Sequence, residues 1–269
     1  MSRQAFYKDR NILEVRQKEK EFILSSVKNI RKEHARLGTL KIRHELREEL
    51  KGCGRGFGRD KFFDLLRKHD LLIKRRRRYT ITTNSNHAFY KHKNHLAGKR
   101  ITAPDQAWVS DITYLRTRNR FVYLSLVTDV YSRKIVGWNV DSSLAVEGAM
   151  KAVRMALKSC TETKNLIHHS DRGIQYCCHA YNNLLQPKGV VMSMGEAGNC
   201  YDNAIAERVN GIVKDEYLLD SEFINKEHAI KAVRQAVYLY NYKRPHWSLN
   251  LQKPANLYKT KARADKQYN

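Results

Sequence analysis

No apolar run in the 269-residue sequence approaches the 18 or so residues of a membrane-spanning helix, and neither end carries a lipidation motif. Residues 1 to 10 lack the apolar core of a secretory signal, so a cytoplasmic location and no membrane partner are expected. Cysteine is scarce and unpatterned. Cys177 and Cys178 are adjacent while Cys53, Cys160 and Cys200 stand alone, which supports neither a disulfide framework nor a zinc spacing and points to reduced structural thiols.

Positive charge is what the chain has in excess. A formal charge of +24 and a pI near 9.9 favour a polyanion, because each phosphate met by Lys or Arg releases condensed counterions. The charge is uneven: residues 1 to 100 hold 28 Lys+Arg against 11 Asp+Glu, net +17, leaving 23 against 16, net +7, for residues 101 to 269. The first hundred residues are therefore the expected docking surface for nucleic acid.

Ile23, Val27 and Ile30 recur at helical spacing within Glu19 to His34, and Gly38 is the expected end of that helix. Thr39 is the expected N-cap of a second helix carrying Ile42, Leu46 and Leu50. Gly52-Cys-Gly-Arg-Gly-Phe-Gly58 is a glycine-rich turn, and Asp60 is the expected cap of a third helix, Lys61 to His69. Two short helices around a turn, flanked by Arg55, Arg59, Lys61, Arg67 and Lys68, suggest a helix-turn-helix whose second helix enters a major groove. The competing reading is a small three-helix core with a solvated basic face. Lys74 with Arg75, Arg76, Arg77 and Arg78 opens a polar stretch that reads as a DNA-tracking linker.

From Gln106 the pattern changes to strands. Ala107 to Leu115, Phe121 to Asp129 and Lys134 to Val140 look like a three-strand meander. A helix over Ala145 to Cys160, a strand over Leu166 to His169, a helix over Ala180 to Leu185, a strand over Val190 to Met194 and a long helix complete an α/β order. It is that of an RNase H-like mixed sheet with flanking helices, preceded by a small all-α domain. The expected domains are 1–78, helix-turn-helix; 79–99, basic linker; 100–260, catalytic core; and 261–269, tail.

Three acids stand out against this background. Asp111 lies inside the apolar run Ala107-Trp-Val-Ser-Asp-Ile-Thr-Tyr-Leu115, where a carboxylate is costly to bury without a compensating cation. Asp171 follows the strand at Leu166, and Glu207 lies 35 intervening residues later on a helix. Together they offer the hard oxygen ligands that Mg²⁺ takes while keeping water and substrate phosphate in its shell. On that last helix, with a capping arrangement at Asn199 and Asp202, Glu207, Asn210 and Lys214 share a face expected to meet metal and DNA, while Ile205, Val209 and Ile212 pack on the sheet. His168 and His169 are expected to hydrogen-bond to the backbone or to contact phosphate, with metal ligation the less favoured reading.

The triad and the words around it resemble a known family. Trp108-Val-Ser-Asp-Ile-Thr-Tyr114, His169-Ser-Asp-Arg-Gly-Ile-Gln-Tyr176, Asp202-Asn-Ala-Ile-Ala-Glu207, Lys214-Asp-Glu216 and Tyr240-Asn-Tyr-Lys-Arg-Pro-His246 resemble the catalytic-frame transposases of two-frame bacterial insertion sequences, which share a DDE triad with retroviral integrases. The resemblance implies an integrase core, Mg²⁺ or Mn²⁺ as cofactor, and cleavage and joining of DNA at element ends and target, carried out by a homo-oligomer on DNA in the bacterial nucleoid. It implies fusion with, or binding to, an upstream-frame protein; no sustained heptad run occurs in these residues to supply a coiled coil. Retroviral integrases carry an amino-terminal His-His-Cys-Cys zinc site, whereas here that part has His34, His44, His69, His87, His92 and His95 but a single cysteine, Cys53, so no zinc is expected. Two-metal phosphoryl transfer would have Asp111 bridge the metals with Asp171 and Glu207 completing one site each. Two rivals are an RNase H-type nuclease without joining activity and a DNA-binding regulator with structural acids. A joining assay tests the first and an Asp111 variant the second.

Overall fold

The computed structural model describes residues 3–53, 57–74, 89–196 and 203–258, and the chain divides into two compact units, residues 1–78 and 79–269. No helix among the described residues is long and apolar enough to cross a membrane.

The first unit is all helix: α1 (Arg3–Glu33), α2 (Thr39–Glu45), α3 (Arg47–Gly52) and α4 (Arg59–Lys68). α1 begins far before Glu19. Its extra turns are rich in Arg, Lys, Glu and Gln, good helix formers that need no burial, and they carry i,i+4 pairs between Arg10 and Glu14 and between Gln17 and Glu21. α1 stops at Glu33, short of Gly38, which instead caps α2 in extended backbone; Thr39 is the first helical residue and not the cap. The expected second helix breaks at Leu46 into α2 and α3, and Gly58 rather than Asp60 caps α4. Ile23, Val27, Leu37, Ile42, Leu50, Phe62 and Leu66 close one apolar core.

The second unit holds a five-stranded sheet in the order β3-β2-β1-β4-β5. β1 (Ala107–Arg116), β2 (Phe121–Asp129) and β3 (Ile135–Asp141) form the antiparallel meander, and β4 (Ile167–Ser170) and β5 (Val191–Met194) add in parallel. α5 (Val146–Ser159) covers one face, burying Ala149, Ala152, Val153 and Ala156 with Val127 and Val136. Gly137 permits this close approach, since a Cβ there would collide with the Ala152 carbonyl oxygen. α6 (Ile174–Cys177) and α7 (His179–Leu185) lead to β5.

α8 (Ala204–Glu216) and α9 (Lys226–Tyr242) cover the opposite face, where Val209, Val213, Val233 and Tyr240 pack on Leu115, Val122, Leu124 and Leu126. α6 and α9 were not expected from periodicity. α9 ends in a buried anchor: Arg244 donates through Nε and Nη2 to the two carboxylate oxygens of Glu216, 2.7 Å each, joining the end of α9 to that of α8. Within the stretch read as a linker, His92 pairs with Asn182, the Ser193 hydroxyl accepts from the His95 amide, and the Lys93 carbonyl accepts from the Met194 amide along β5.

Candidate active site

The parallel ladder between β1 and β4 ends where Ser110 pairs with Ser170, and the next residue along the chain is an aspartate in both cases, Asp111 within β1 and Asp171 just past the end of β4. The register thereby sets the two aspartates side by side where neighbouring strands are about 4.8 Å apart. Past that point β1 is paired only with β2. Side chains close its free edge. The Asn203 amide donates to the Ser110 carbonyl (3.3 Å), Asp111 Oδ1 accepts from the Ile112 amide (2.9 Å), and Lys214 Nζ donates to the Tyr114 carbonyl (2.9 Å) and Thr113 Oγ1 (3.3 Å). Asp111 Oδ2 accepts from the Asn210 amide at 2.7 Å.

The polar row of α8 thus lies down on β1. Of the three residues expected to share a face towards metal and DNA, Asn210 is buried with its amide on the Asp111 carboxylate, Lys214 is half-buried with its ammonium on the strand, and Glu207 is exposed. The physical reason is the end of β4, which leaves backbone groups of β1 that need partners. Asn203, at the N-cap of α8, was missed by sequence reasoning; Asn199 and Asp202 lie outside the described residues.

Burial is the main force raising the Asp111 carboxyl to about 7; the negative charge of Asp171 adds to it, the bonds from Asn210 and the Ile112 amide oppose it, and Glu207 raises it further. Asp171 Oδ1 accepts from the Gly173 amide at 3.1 Å. Among the described residues no three of His, Cys, Asp or Glu stand close enough together to enclose a metal ion. Asp111 and Asp171 are neighbours by strand register, and Glu207, one helical turn before Asn210, acts on Asp111 more weakly. A carboxyl whose proton is held by burial and, after it, by neighbouring carboxylates is a group whose ionisation a hard divalent cation would favour, so the chemistry of these oxygen donors fits such an ion.

Behind the aspartates sits a buried polar layer. His168 Nε2 meets Ser110 Oγ (2.9 Å) and the Tyr181 hydroxyl (3.1 Å), and His169 Nδ1 meets Ser193 Oγ (2.9 Å). Both imidazoles are buried; burial and the neighbouring His169 push His168 down to about 3. Ser110, Tyr181 and Ser193 meet them through side-chain hydroxyls. Among the described residues Cys53, Cys160, Cys177 and Cys178 form no disulfide with one another, and burial lifts Cys177 to about 11.

In the first unit Arg59, Lys61, Arg67, Lys68 and Lys74 are exposed, on or just after α4, with Arg67 paired to Asp64. Arg55 and Arg75 to Arg78 lie outside the described residues.

Residues 101–200 match the family described as Integrase core domain, and residues 188–254 match a second family of that description. An insertion element IS600 protein of 31 kDa from Shigella sonnei is 38% identical over 220 residues, covering 81% of this chain and 79% of that one. The chain belongs to the integrase-core transposases of insertion sequences. The transposase InsF of insertion sequence IS3A from Escherichia coli K12 is 33% identical over 183 residues, covering 68% of this chain and 64% of that transposase. A chain of the simian T-cell lymphotropic virus intasome, solved by cryo-EM in complex with PP2A regulatory subunit B56 gamma, superposes with a TM-score of 0.51. It is 14% identical and covers 82% of this chain and 70% of that one. That likeness shows the RNase H-like integrase fold. As an integrase-core transposase the chain is a polynucleotidyl transferase of the DDE type, acting in DNA transposition with a divalent metal.

Proposed function

We propose that Asp111, Asp171 and Glu207 are the catalytic carboxylates of this transposase, cutting the ends of its element and joining the freed 3′-OH to target DNA. The observation that carries the reading is Asp111 itself: a strand acid beside Asp171, with its proton retained first by burial and then by the charges of Asp171 and, more weakly, Glu207. These three would hold Mg²⁺ or Mn²⁺, which when bound supplies Lewis-acid activation of the attacking and leaving oxygens. Asn210 fixes the orientation of Asp111 through Oδ2, leaving Oδ1 held by its own strand at the Ile112 amide. The Gly173 amide holds Asp171 in the same way. His168, held neutral by burial and bonded to the Tyr181 hydroxyl, keeps competing charge away from the aspartates. Arg59, Lys61, Arg67, Lys68 and Lys74 with Arg55 and Arg75 to Arg78 dock the element ends. The chain works as a homo-oligomer on DNA, joined to or bound by an upstream-frame protein.

Metal choice tests this. Mg²⁺ and Mn²⁺ are expected to support cleavage of an element-end duplex and Ca²⁺ only its binding, because Ca²⁺ takes a larger and looser shell. Full cleavage by metal-stripped protein in EDTA would contradict the assignment.

A further inference from the structure

The hairpin joining β1 to β2 carries features that the carboxylate site does not use. Its tip, Arg116-Thr-Arg-Asn-Arg120, has three arginines and no acid. All three are exposed, and among the described residues none forms an ion pair. The tip is rigidly built. Thr117 and Arg120 bond across it, Thr117 bridges Phe223, the Arg118 amide donates to the Phe223 carbonyl (3.0 Å) and the Phe223 amide donates to the Arg116 carbonyl (2.9 Å).

Behind the arginines runs a ladder of rings. Arg116 stands directly opposite Phe121 and Tyr114 opposite Tyr123. The Tyr114 ring lies 5.1 Å from Tyr123 and 6.0 Å from Phe121, edge to face in both cases. Phe121 remains 49% exposed, so its ring is supported by Tyr114 yet open to solvent. The acid beside Tyr123, its cross-strand partner Asp141, is neutralised by Lys151 and Lys226.

We propose that this hairpin is a second DNA-contact surface: Arg116, Arg118 and Arg120 take backbone phosphates, and Phe121 takes one unpaired base on its open face. Guanidinium groups match phosphate in a forked geometry, and every base offers a π-face to an exposed ring. Charge selects the partner. A two-fold contact with a second copy would set arginine against arginine, whereas a polyanion complements all three. Fixing the tip beforehand lowers the ordering cost of binding. Arg116 is five residues beyond Asp111 on one strand, about 17 Å away, near five base steps of duplex. Alternation along β1 puts the rings on the sheet face opposite Asp111, so the base that stacks belongs to a strand that has left the duplex.

The proposal rests on the chain being a DNA transposase but not on which acids cut. Its test uses the full chain carrying Asp111→Asn, so that turnover does not matter, and two probes: a blunt duplex and the same duplex with a single-stranded tail containing 2-aminopurine. The parent should bind the tailed duplex more tightly and quench the probe. Arg116→Gln/Arg118→Gln/Arg120→Gln should weaken tailed binding by tenfold or more and lower the slope of log K against log salt by roughly 2, near 0.7 per phosphate lost. Phe121→Ala should abolish quenching and the preference for the tail while Phe121→Trp keeps both, and the melting temperature of each should match the parent. An unchanged salt slope in the triple variant overturns the arginine contacts. Retained quenching in Phe121→Ala overturns the stacking, and equal competition by an acidic polypeptide overturns DNA as the partner.

Discussion

Asp111 is held against its own charge. Burial and the neighbouring carboxylates resist its ionisation, and two hydrogen bonds only partly offset them. Removing that charge should therefore stabilise the metal-free protein while destroying its chemistry. In chelator at pH 8, Asp111→Asn is expected to be more stable than the parent by on the order of 1–3 kcal/mol, the scale of one like-charge contact at an intermediate dielectric. A variant that melts at or below the parent would contradict the repulsion. In that same background His168 becomes legible. Its folded value near 3 lies below the unfolded value of 6.5, so the unfolded chain binds the extra proton between those limits and stability rises with pH. Taking the Asp111→Asn chain from pH 7 to pH 5 should cost about 2 kcal/mol, and adding His168→Gln should flatten the slope. An equal slope with and without the imidazole would show that His168 is not held neutral.

α8 is the element that makes the site. It takes the place of a strand at the free edge of β1, binding the Ser110 and Tyr114 carbonyls through Asn203 and Lys214 and the Asp111 carboxyl through Asn210. Lys214→Met should therefore lower stability by about 1–2 kcal/mol and speed hydrogen exchange over residues 113 to 116. Were Lys214 only a DNA contact, exchange there would be unchanged and affinity alone would fall. Sequence reasoning placed all five strands and α5, because the meander alternates and α5 keeps its apolar residues on one face. The spacing of Glu207, Asn210 and Lys214 was legible too. What those side chains face was not, since only the register of β4 against β1 reveals that the ladder stops at Ser110 and leaves an edge to be filled. Helix ends were misplaced where glycine took the cap from Thr39 or Asp60: extended backbone at Gly38 and Gly58 starts each helix with no side-chain bond. Asn203 left no signal, because its partner is a backbone carbonyl 93 residues away.

At the scale of the molecule, charge density divides the labour. Residues 1 to 78 hold 24 Lys+Arg and 11 Asp+Glu, net +13, against 27 and 16, net +11, over the much longer remainder. A fragment of residues 1 to 78 should retain most of the affinity for element-end DNA and lose it steeply with salt, and residues 79 to 269 should bind more weakly at equal ionic strength. Equal affinity of the two fragments would remove docking from the first unit. The central claim, that three carboxylates serve cutting and joining alike, is tested most directly by Glu207→Gln. Glu207 is exposed while Val209 and Ile212 beside it are buried, so an isosteric amide leaves the packing intact and removes one negative charge from the site. With Mn²⁺, a labelled element-end duplex reports the freed 3′-OH and a pre-cut end reports joining. Loss of both activities by 10²-fold or more, with DNA binding and melting temperature retained, is the predicted result; joining of pre-cut ends at near the parental rate would contradict it.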